Sequence, residues 1–412
     1  MVVELITVGT EILMGNIVNT NAQYMAANLT KLGAVIQYQE TVGDNRERLS
    51  EVFKTAMSRA DIVILSGGLG PTEDDLTRDV CAEVLHMPLK ENPAIRSGIE
   101  DYVRKGNFKL TDNNFRQAMV PEGALVLENS NGTAPGLILR DGARSAVLLP
   151  GPPHEMKPMF EEQVVPYIRS LSPEHLASVM IKIAGIGESQ VEDTLLDLID
   201  RQTNPTIATY AKLGEVDVRV TAKADSEAKA EELLKPVVRE IVKRFGESVF
   251  TQEENQTLAD TVVGLLKKKG LTLTTAESLT GGMIASRITD VPGASQIFKL
   301  GFVTYSNKAK KKVLSVKKEL LKKDGAVSAD CARDMAVGAV LESEADISVA
   351  ITGNAGPDAM ENKPVGLVYI SCYAKGKTQV LECHFNGDRA KIREQSVMKA
   401  LDLVRRTILE KY

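Results

Sequence analysis

The chain has 412 residues, too many for one hydrophobic core, so two or three domains are expected. Hydrophobic residues make up 43% and charged residues 25%, the balance of an ordinary globular protein, and a net charge of −5 gives no general pull toward nucleic acid or acidic membranes. Cys81, Cys331, Cys372 and Cys383 are scattered, as are His86, His154, His175 and His384, which argues against a zinc site or a disulfide framework, and no apolar run is long enough for a membrane span.

The opening MVVELITVGTE reads as an apolar strand without a basic leader or cleavage site, so a cytoplasmic location is expected. Residues 20–33 have a helical pattern, 34–41 are extended, 46–59 are helical, and DIVILSG (61–67) is a buried strand. A later strand, SAVLLPG (145–151), leads into a helix starting near His154. Short apolar runs separated by helices predict an α/β fold with a doubly wound, mainly parallel sheet.

Two loops in this region combine glycines with polar residues: GTEILMGNIVNTN and SGGLGPTEDDLTRD. In doubly wound sheets, ligands bind outside the carboxyl ends of the strands. Gly67, Gly68 and Gly70 allow the backbone to approach a phosphate closely. Glu73, Asp74, Asp75 and Asp79 would repel a diphosphate unless a divalent cation, Mg²⁺ or similar, bridges them. The same Asp and Thr residues also suit ordinary helix caps. NGTAPG (131–136) and LPGPPHEM (149–156) add further tight turns.

From about 177 to 250 a strand, a helix, a hairpin and a second helix form a small α+β unit. Its GIGES turn is similar to the glycine turn of KH domains, but Glu188, Glu192 and Asp193 follow it, so it reads as a spacer and RNA binding is not expected. TQEENQ (251–256) reads as a linker, and Leu258, Val262, Leu265 and Leu266 mark one face of the next helix.

The strand LTLTTAE (271–277) runs into SLTGG and a helix, MIASRIT. Ser278 therefore sits at a strand-to-helix turn, where it can be either a helix cap or a nucleophile beside backbone N–H groups of Thr280, Gly281 and Gly282. No histidine accompanies a recognisable motif, so a Ser-His-Asp triad is poorly supported. A lysine can replace histidine where burial lowers its pKa, and GFVTYSNKAKKK offers lysines 308, 310, 311 and 312. Most of a lysine run, including VKKELLKK (316–323), belongs to a solvated helix face.

GTEIL, SGGLGPTEDDLTRD and LPGPPHEM resemble the N-terminal domain of the competence/damage-inducible protein A (CinA) family, which is similar to the MogA/MoaB-type molybdopterin-binding fold. AESLTGG, VPGAS, GFVTYSNKAK, GAVS, ITGNAGP, KPVG and NGDR, in that order, resemble its C-terminal domain, which also occurs as nicotinamide mononucleotide (NMN) amidohydrolase. The resemblance spans nearly the whole chain. It implies a nucleotide pyrophosphatase domain at 1–172, a KH-like spacer at 173–250, a linker at 251–256 and a deamidase domain at 257–412. In the first domain it implies a site for nucleotide diphosphates, and in some members ADP-ribose pyrophosphatase activity. There Asp75 and Asp79 would hold the cation, with Glu11, Gly67, Gly68, Gly70, Thr72 and Asp74 facing the nucleotide. In the last domain it implies a Ser278–Lys310 pair with Tyr305, without a metal or other cofactor. For the substrate phosphate, Thr352, Gly353, Arg389 and Arg393 are the candidates. The chain departs from the family pattern at Asn354 and in the following DAMEN, which bears on the substrate loop. Competing readings are a non-catalytic recombination partner that uses the Lys308–Lys323 run as a contact surface, and a molybdopterin-binding protein. A homodimer is the base-rate expectation.

Overall fold

The computed structural model describes residues 1–106, 109–171 and 175–412. Contacts divide the chain into two compact units, residues 1–177 with 223–230, and residues 178–222 with 231–412. The junction expected at 172/173 lies outside the described residues.

The strands of the first unit are β1 (Val2–Val8), β2 (Val35–Val42), β3 (Ile62–Ser66), β4 (Leu89–Glu91), β5 (Met119–Pro121), β6 (Leu125–Leu127), β7 (Gly136–Asp141) and β8 (Arg144–Leu149). Six of them form one sheet in the order β2-β1-β3-β8-β7-β6, while β4 and β5 pair separately. The four strands β2, β1, β3 and β8 are parallel, and β7 and β6 add an antiparallel edge. Residues 89–141 gave no strand signal in the sequence because several of these strands are only three residues long.

Alternation along β3 shows why the sheet is covered twice. Ile62 and Ile64 pack with Met25, Leu29 and Phe160 on one face, whereas Val63 and Leu65 pack with Leu49, Phe53 and Ala56 on the other. Helices Thr20–Lys31 and Arg46–Arg59 supply those partners except Phe160, which belongs to the helical segment Phe160–Val164. Each such side chain, fully buried, contributes about 1.5–3 kcal/mol. The expected mainly parallel, doubly wound architecture is the one that forms.

β9 (His175–Ala184), β10 (Thr206–Lys212), β11 (Glu215–Ala224) and β12 (Val249–Thr251) make a four-stranded sheet ordered β10-β11-β9-β12, which falls in the second unit apart from residues 175–177 and 223–224. The predicted hairpin is the β10–β11 pair, with Lys212 opposite Glu215.

A five-stranded sheet follows, built from β13 (Leu273–Glu277), β14 (Phe298–Val303), β15 (Ile347–Gly353), β16 (Leu367–Ala374) and β17 (Lys377–His384). Its order is β14-β13-β15-β16-β17; the first three are parallel and the last two antiparallel. Leu273, Val349, Ile351 and Ile370 pack on one face with helices Leu258–Lys269 and Arg389–Lys411. Ala276 and Ala350 face the other side, toward Met335, Ala336 and Ala339 of helix Ala329–Ser343. The carboxyl ends of β13, β14 and β15 therefore lie side by side. Among the described residues no helix is long and apolar enough to cross a membrane.

Candidate functional site

Ser278 follows β13 directly, and its backbone N–H donates to the Ile351 carbonyl on β15 (3.0 Å). On the other flank the Thr304 N–H, just past β14, donates to the Glu277 carbonyl (2.9 Å). The nucleophile candidate is thus fixed by both neighbouring strands before any side chain is considered.

Helix Asn307–Leu314 carries the lysines, with Ser306 capping it by accepting the Ala309 N–H. Lys310 and Leu314, one turn apart, are its buried residues, while Lys308, Lys311 and Lys312 are exposed. The helix end lies so close to helix Ala329–Ser343 that a Cβ at Gly338 would fall 2.0 Å from the Leu314 carbonyl oxygen. Glycine at 338 is what allows this approach.

Lys310 Nζ lies 2.9 Å from Ser278 Oγ, 2.8 Å from the Thr304 carbonyl oxygen and 3.5 Å from the Tyr305 carbonyl oxygen. Lys310 is 1% exposed and Ser278 8% exposed. Burial pushes the Lys310 amine below the ordinary lysine value of 10.5, partly offset by the nearby Cys331 and Glu361. A neutral amine has two N–H bonds and one lone pair. The two carbonyls can take the N–H bonds, which leaves the lone pair for the Ser278 hydroxyl proton.

The other C-terminal candidates divide. Tyr305 is 61% exposed, and its hydroxyl accepts from Arg389 Nη2 (3.0 Å). Arg389 Nη1 donates to the Gly356 carbonyl (2.7 Å), so this arginine joins the Tyr305 and Gly356 loops. Thr352 is buried and its hydroxyl donates to the Ala326 carbonyl (2.7 Å). Gly353 lies flush against β16, where a Cβ would meet the Leu367 carbonyl oxygen at 2.7 Å. Arg393 donates to the carbonyls of Leu279 (Nε, 3.0 Å) and Thr280 (Nη2, 2.8 Å). The departing loop is anchored: the Glu361 carboxylate accepts from the Ala326 and Val327 N–H groups.

Gly281 and Gly282 both adopt left-handed backbone, φ 62° and 97°, which the turn requires. The sequence offers both as oxyanion donors, but neither N–H is free. Gly281 donates to the Ser278 carbonyl (3.1 Å), and Gly282 donates to the carboxylate of Glu277 (2.9 Å). Glu277 also accepts from Ile284 and Ala285 at 3.1 and 2.9 Å, so a fully buried carboxylate caps helix Met283–Thr289 at its positive end. The sequence reading missed Glu277. Its signal is an acid at the last position of an otherwise apolar strand, directly before the serine.

In the first unit a cavity of about 460 Å³ opens at the carboxyl ends of the parallel strands. Glu11, Gly67, Gly68, Gly70, Asp74 and Asp75 line it, together with Asn21, Asp44, Ser66, Gln117 and Glu155. A Cβ at Gly67 would fall 2.1 Å from the Val8 carbonyl oxygen and one at Gly68 2.3 Å from Thr77 Oγ1, so both turns need glycine. Thr72 and Asp79 are not in the lining. Thr72 instead donates to Asp75 through its N–H (2.9 Å) and its hydroxyl. Asp79 accepts from Arg78 (2.9 and 2.7 Å) and pairs with Arg116 at 3.5 Å. The expected Asp75–Asp79 cation pair is therefore not assembled, because two guanidinium groups hold Asp79 elsewhere.

The donor set still suits a cation that arrives with its ligand. Five carboxylates line the cavity, from Glu11, Asp44, Asp74, Asp75 and Glu155, and the lining contains no Lys, Arg or His. No cluster of three or more potential ligands is gathered among the described residues. Mg²⁺ needs no such cage, since it commonly takes one or two carboxylates and completes its shell with water and substrate phosphates. Asp44 accepts from Thr10 (2.9 and 2.8 Å), Glu155 from Asn129 (2.6 Å) and Asp75 from Thr72, each through one oxygen, which leaves their second oxygens beside Glu11 and Asp74.

Three family models match in succession: "Probable molybdopterin binding domain" at residues 4–170, "Damage-inducible protein CinA KH domain" at 178–251 and "CinA C-terminal domain" at 255–408. A CinA-like protein of Kosmotoga olearia is 46% identical over 410 residues, covering 99% of each chain. A second, from Dictyoglomus thermophilum, is 46% identical over 407 residues, covering 98% of this chain and 99% of its own. Among solved structures, a CinA superfamily protein of Escherichia coli is 35% identical, covering 39% of this chain and 96% of its own, with a TM-score of 0.36. The molybdopterin biosynthesis enzyme MoaB of Thermus thermophilus is 18% identical, covering 41% of this chain and 94% of its own, with a TM-score of 0.28.

Proposed function

The chain belongs to the competence-damage inducible CinA family, and from that premise we propose that its C-terminal domain is a Ser/Lys amidohydrolase acting on nicotinamide mononucleotide. The observation that carries this reading is the buried contact of 2.9 Å between Lys310 Nζ and Ser278 Oγ.

The chemistry follows from that contact. Neutral Lys310 takes the Ser278 hydroxyl proton as Oγ bonds to the carboxamide carbon. The carbonyl oxygen becomes an oxyanion, held by backbone N–H groups of the turn. As the tetrahedral adduct collapses, the carbon–nitrogen bond breaks and Lys310 returns the proton to the departing ammonia. Water then attacks the Ser278 ester, Lys310 accepts its proton, and Oγ leaves protonated with release of nicotinic acid mononucleotide. Burial keeps the lysine neutral at a pH where an exposed lysine would be charged. Arg389, between Tyr305 and Gly356, has N–H groups left for the substrate phosphate.

For the N-terminal domain the reading is metal-dependent cleavage of a nucleotide diphosphate of the ADP-ribose kind. The acidic, glycine-lined cavity supports it. A divalent cation held there by Asp75, Asp74 or Glu11 would screen the diphosphate and polarise a phosphoryl oxygen. Gly67 and Gly68 line the cavity, and no basic residue of the lining stands in for the cation in neutralising the phosphates.

Two assays on the intact chain test these readings. Ammonia release from NMN should fall by about 10²–10⁴-fold in both Ser278→Ala and Lys310→Ala, the range lost with a general base. Near-normal turnover in either variant would remove the pair from the mechanism. AMP release from ADP-ribose should need a divalent cation and be abolished by a chelator; cation-independent release would refute the N-terminal reading.

A further inference from the structure

We infer that Arg393 is a positioning residue for the oxyanion site, fixing the Leu279–Thr280 peptide unit, whose Thr280 N–H receives the negative charge together with the N–H of Leu279. This inference rests on the amidohydrolase reading and assigns Arg393 a different task from the phosphate contact its charge suggests.

The argument begins with the turn. Of the backbone N–H groups after Ser278, that of Gly281 goes to the Ser278 carbonyl, and those of Gly282, Ile284 and Ala285 go to Glu277. The Met283 N–H donates to the Thr280 carbonyl (3.3 Å). Leu279 and Thr280 remain, and among the described residues neither N–H has an acceptor. Both residues are buried, and buried N–H groups without partners are rare in folded proteins. Two such donors in succession, immediately after a nucleophile candidate, are the usual makings of an oxyanion site.

Peptide planarity connects them to Arg393. In a trans peptide the N–H points opposite to the C=O of the same unit. Arg393 Nε draws the Leu279 carbonyl to one side, so the Thr280 N–H of that unit must face the other way. Nη2 holds the next carbonyl, that of Thr280, and so directs the Gly281 N–H back into the turn. The planar guanidinium fork suits two adjacent carbonyls, whereas a lysine ammonium has no such fixed geometry. Glu277 secures the far end of the same loop through three N–H groups, so an acid and a base clamp it from opposite sides. Arg393 comes from helix Arg389–Lys411, which ties the turn to a large packed element.

The test separates positioning from phosphate binding by using substrates with and without the phosphate. Arg393→Ala should lower kcat about 10²-fold, the scale of losing one oxyanion donor, for NMN and by a similar factor for phosphate-free nicotinamide riboside. Arg393→Lys should fall between, and free guanidinium should restore part of the Arg393→Ala rate. NMN affinity, measured calorimetrically in Ser278→Ala and in Ser278→Ala/Arg393→Ala, should agree within about threefold. A rise in KM confined to NMN, or a much weaker NMN affinity in the double variant, would make Arg393 a phosphate ligand and overturn the inference. If the wild-type chain releases no ammonia from either substrate, the amidohydrolase reading fails on its own. Displacement of fluoride from a sulfonyl fluoride by Ser278 then still decides the clamp: labelling should be at least about tenfold slower in Arg393→Ala, and equal rates would exclude it.

Discussion

The two candidate sites solve one problem in opposite ways. Both sit at the carboxyl ends of parallel strands, where a doubly wound sheet leaves room for a ligand. At the C-terminal site the reactive groups are already in contact, buried, and served by backbone from three adjacent strands. At the N-terminal site acids and glycines surround a wide cavity, but Asp79 is held by arginines and Asp75 by Thr72. One candidate site is assembled by the fold; the other, on the function proposed for it, needs a cation and a diphosphate to draw its groups together. Nucleophilic attack needs a deprotonated hydroxyl, which a buried amine can provide locally. Diphosphate cleavage needs charge neutralisation, which carboxylates cannot supply without a metal.

The largest effect that would sharpen this contrast is expected from Lys310→Met. It should cost about 10²–10⁴-fold in ammonia release and leave AMP release from ADP-ribose unchanged. It also has a pH signature. Burial lowers the Lys310 pKa in the folded state, so below that value the fold carries the full cost of a buried charge. The cost is relieved as pH rises toward 10.5, where the unfolded lysine also loses its proton. Urea unfolding across that window should therefore show the wild type gaining on Lys310→Met as pH rises, and a flat difference would mean the lysine is not perturbed. Over the same window kcat/KM for ammonia release should climb with pH.

Asp75→Asn should lower cation-dependent AMP release about tenfold or more, with NMN turnover intact, as measured in parallel on one preparation. Equal loss at both sites would show that the two are not independent. A smaller effect is expected at Gly338→Ala, where the added methyl meets the Leu314 carbonyl. Overpacking there should cost about 1–3 kcal/mol by denaturant unfolding and shift the lysine helix, reducing ammonia release but not AMP release. Asp79→Asn should have the smallest catalytic effect. It removes the charge paired with the nearly buried Arg78, which keeps the Arg116 carbonyl, and should lower stability by about 1–3 kcal/mol with AMP release within about twofold of wild type. A large catalytic loss would return Asp79 to the site.

Much of this was readable in the sequence, for identifiable reasons. LTLTTAE followed by SLTGG specifies a buried strand, a glycine turn and a helix, so Ser278 could be located from local pattern. DIVILSG gave the central strand of the first sheet for the same reason. Helix periodicity did not distinguish Lys310 from Lys308, Lys311 and Lys312; only the family resemblance did. Asp75 and Asp79 are both acids in one loop, and their spacing carries no hint that Arg78 and Arg116 take one of them away. Arg393 lies more than a hundred residues from the turn it holds, and nothing near it in sequence points there.

The sequence by itself determined the elements and their faces, because hydrophobic periodicity and turn residues act over a few positions. It also set the residue types each loop could offer. Which of those groups meet was decided by tertiary structure: the parallel neighbours of β13, the close helix approach at Gly338, and the desolvation that lowers the Lys310 pKa. Burial and contact across long sequence separations depend on how whole elements pack, and no short stretch of chain encodes that.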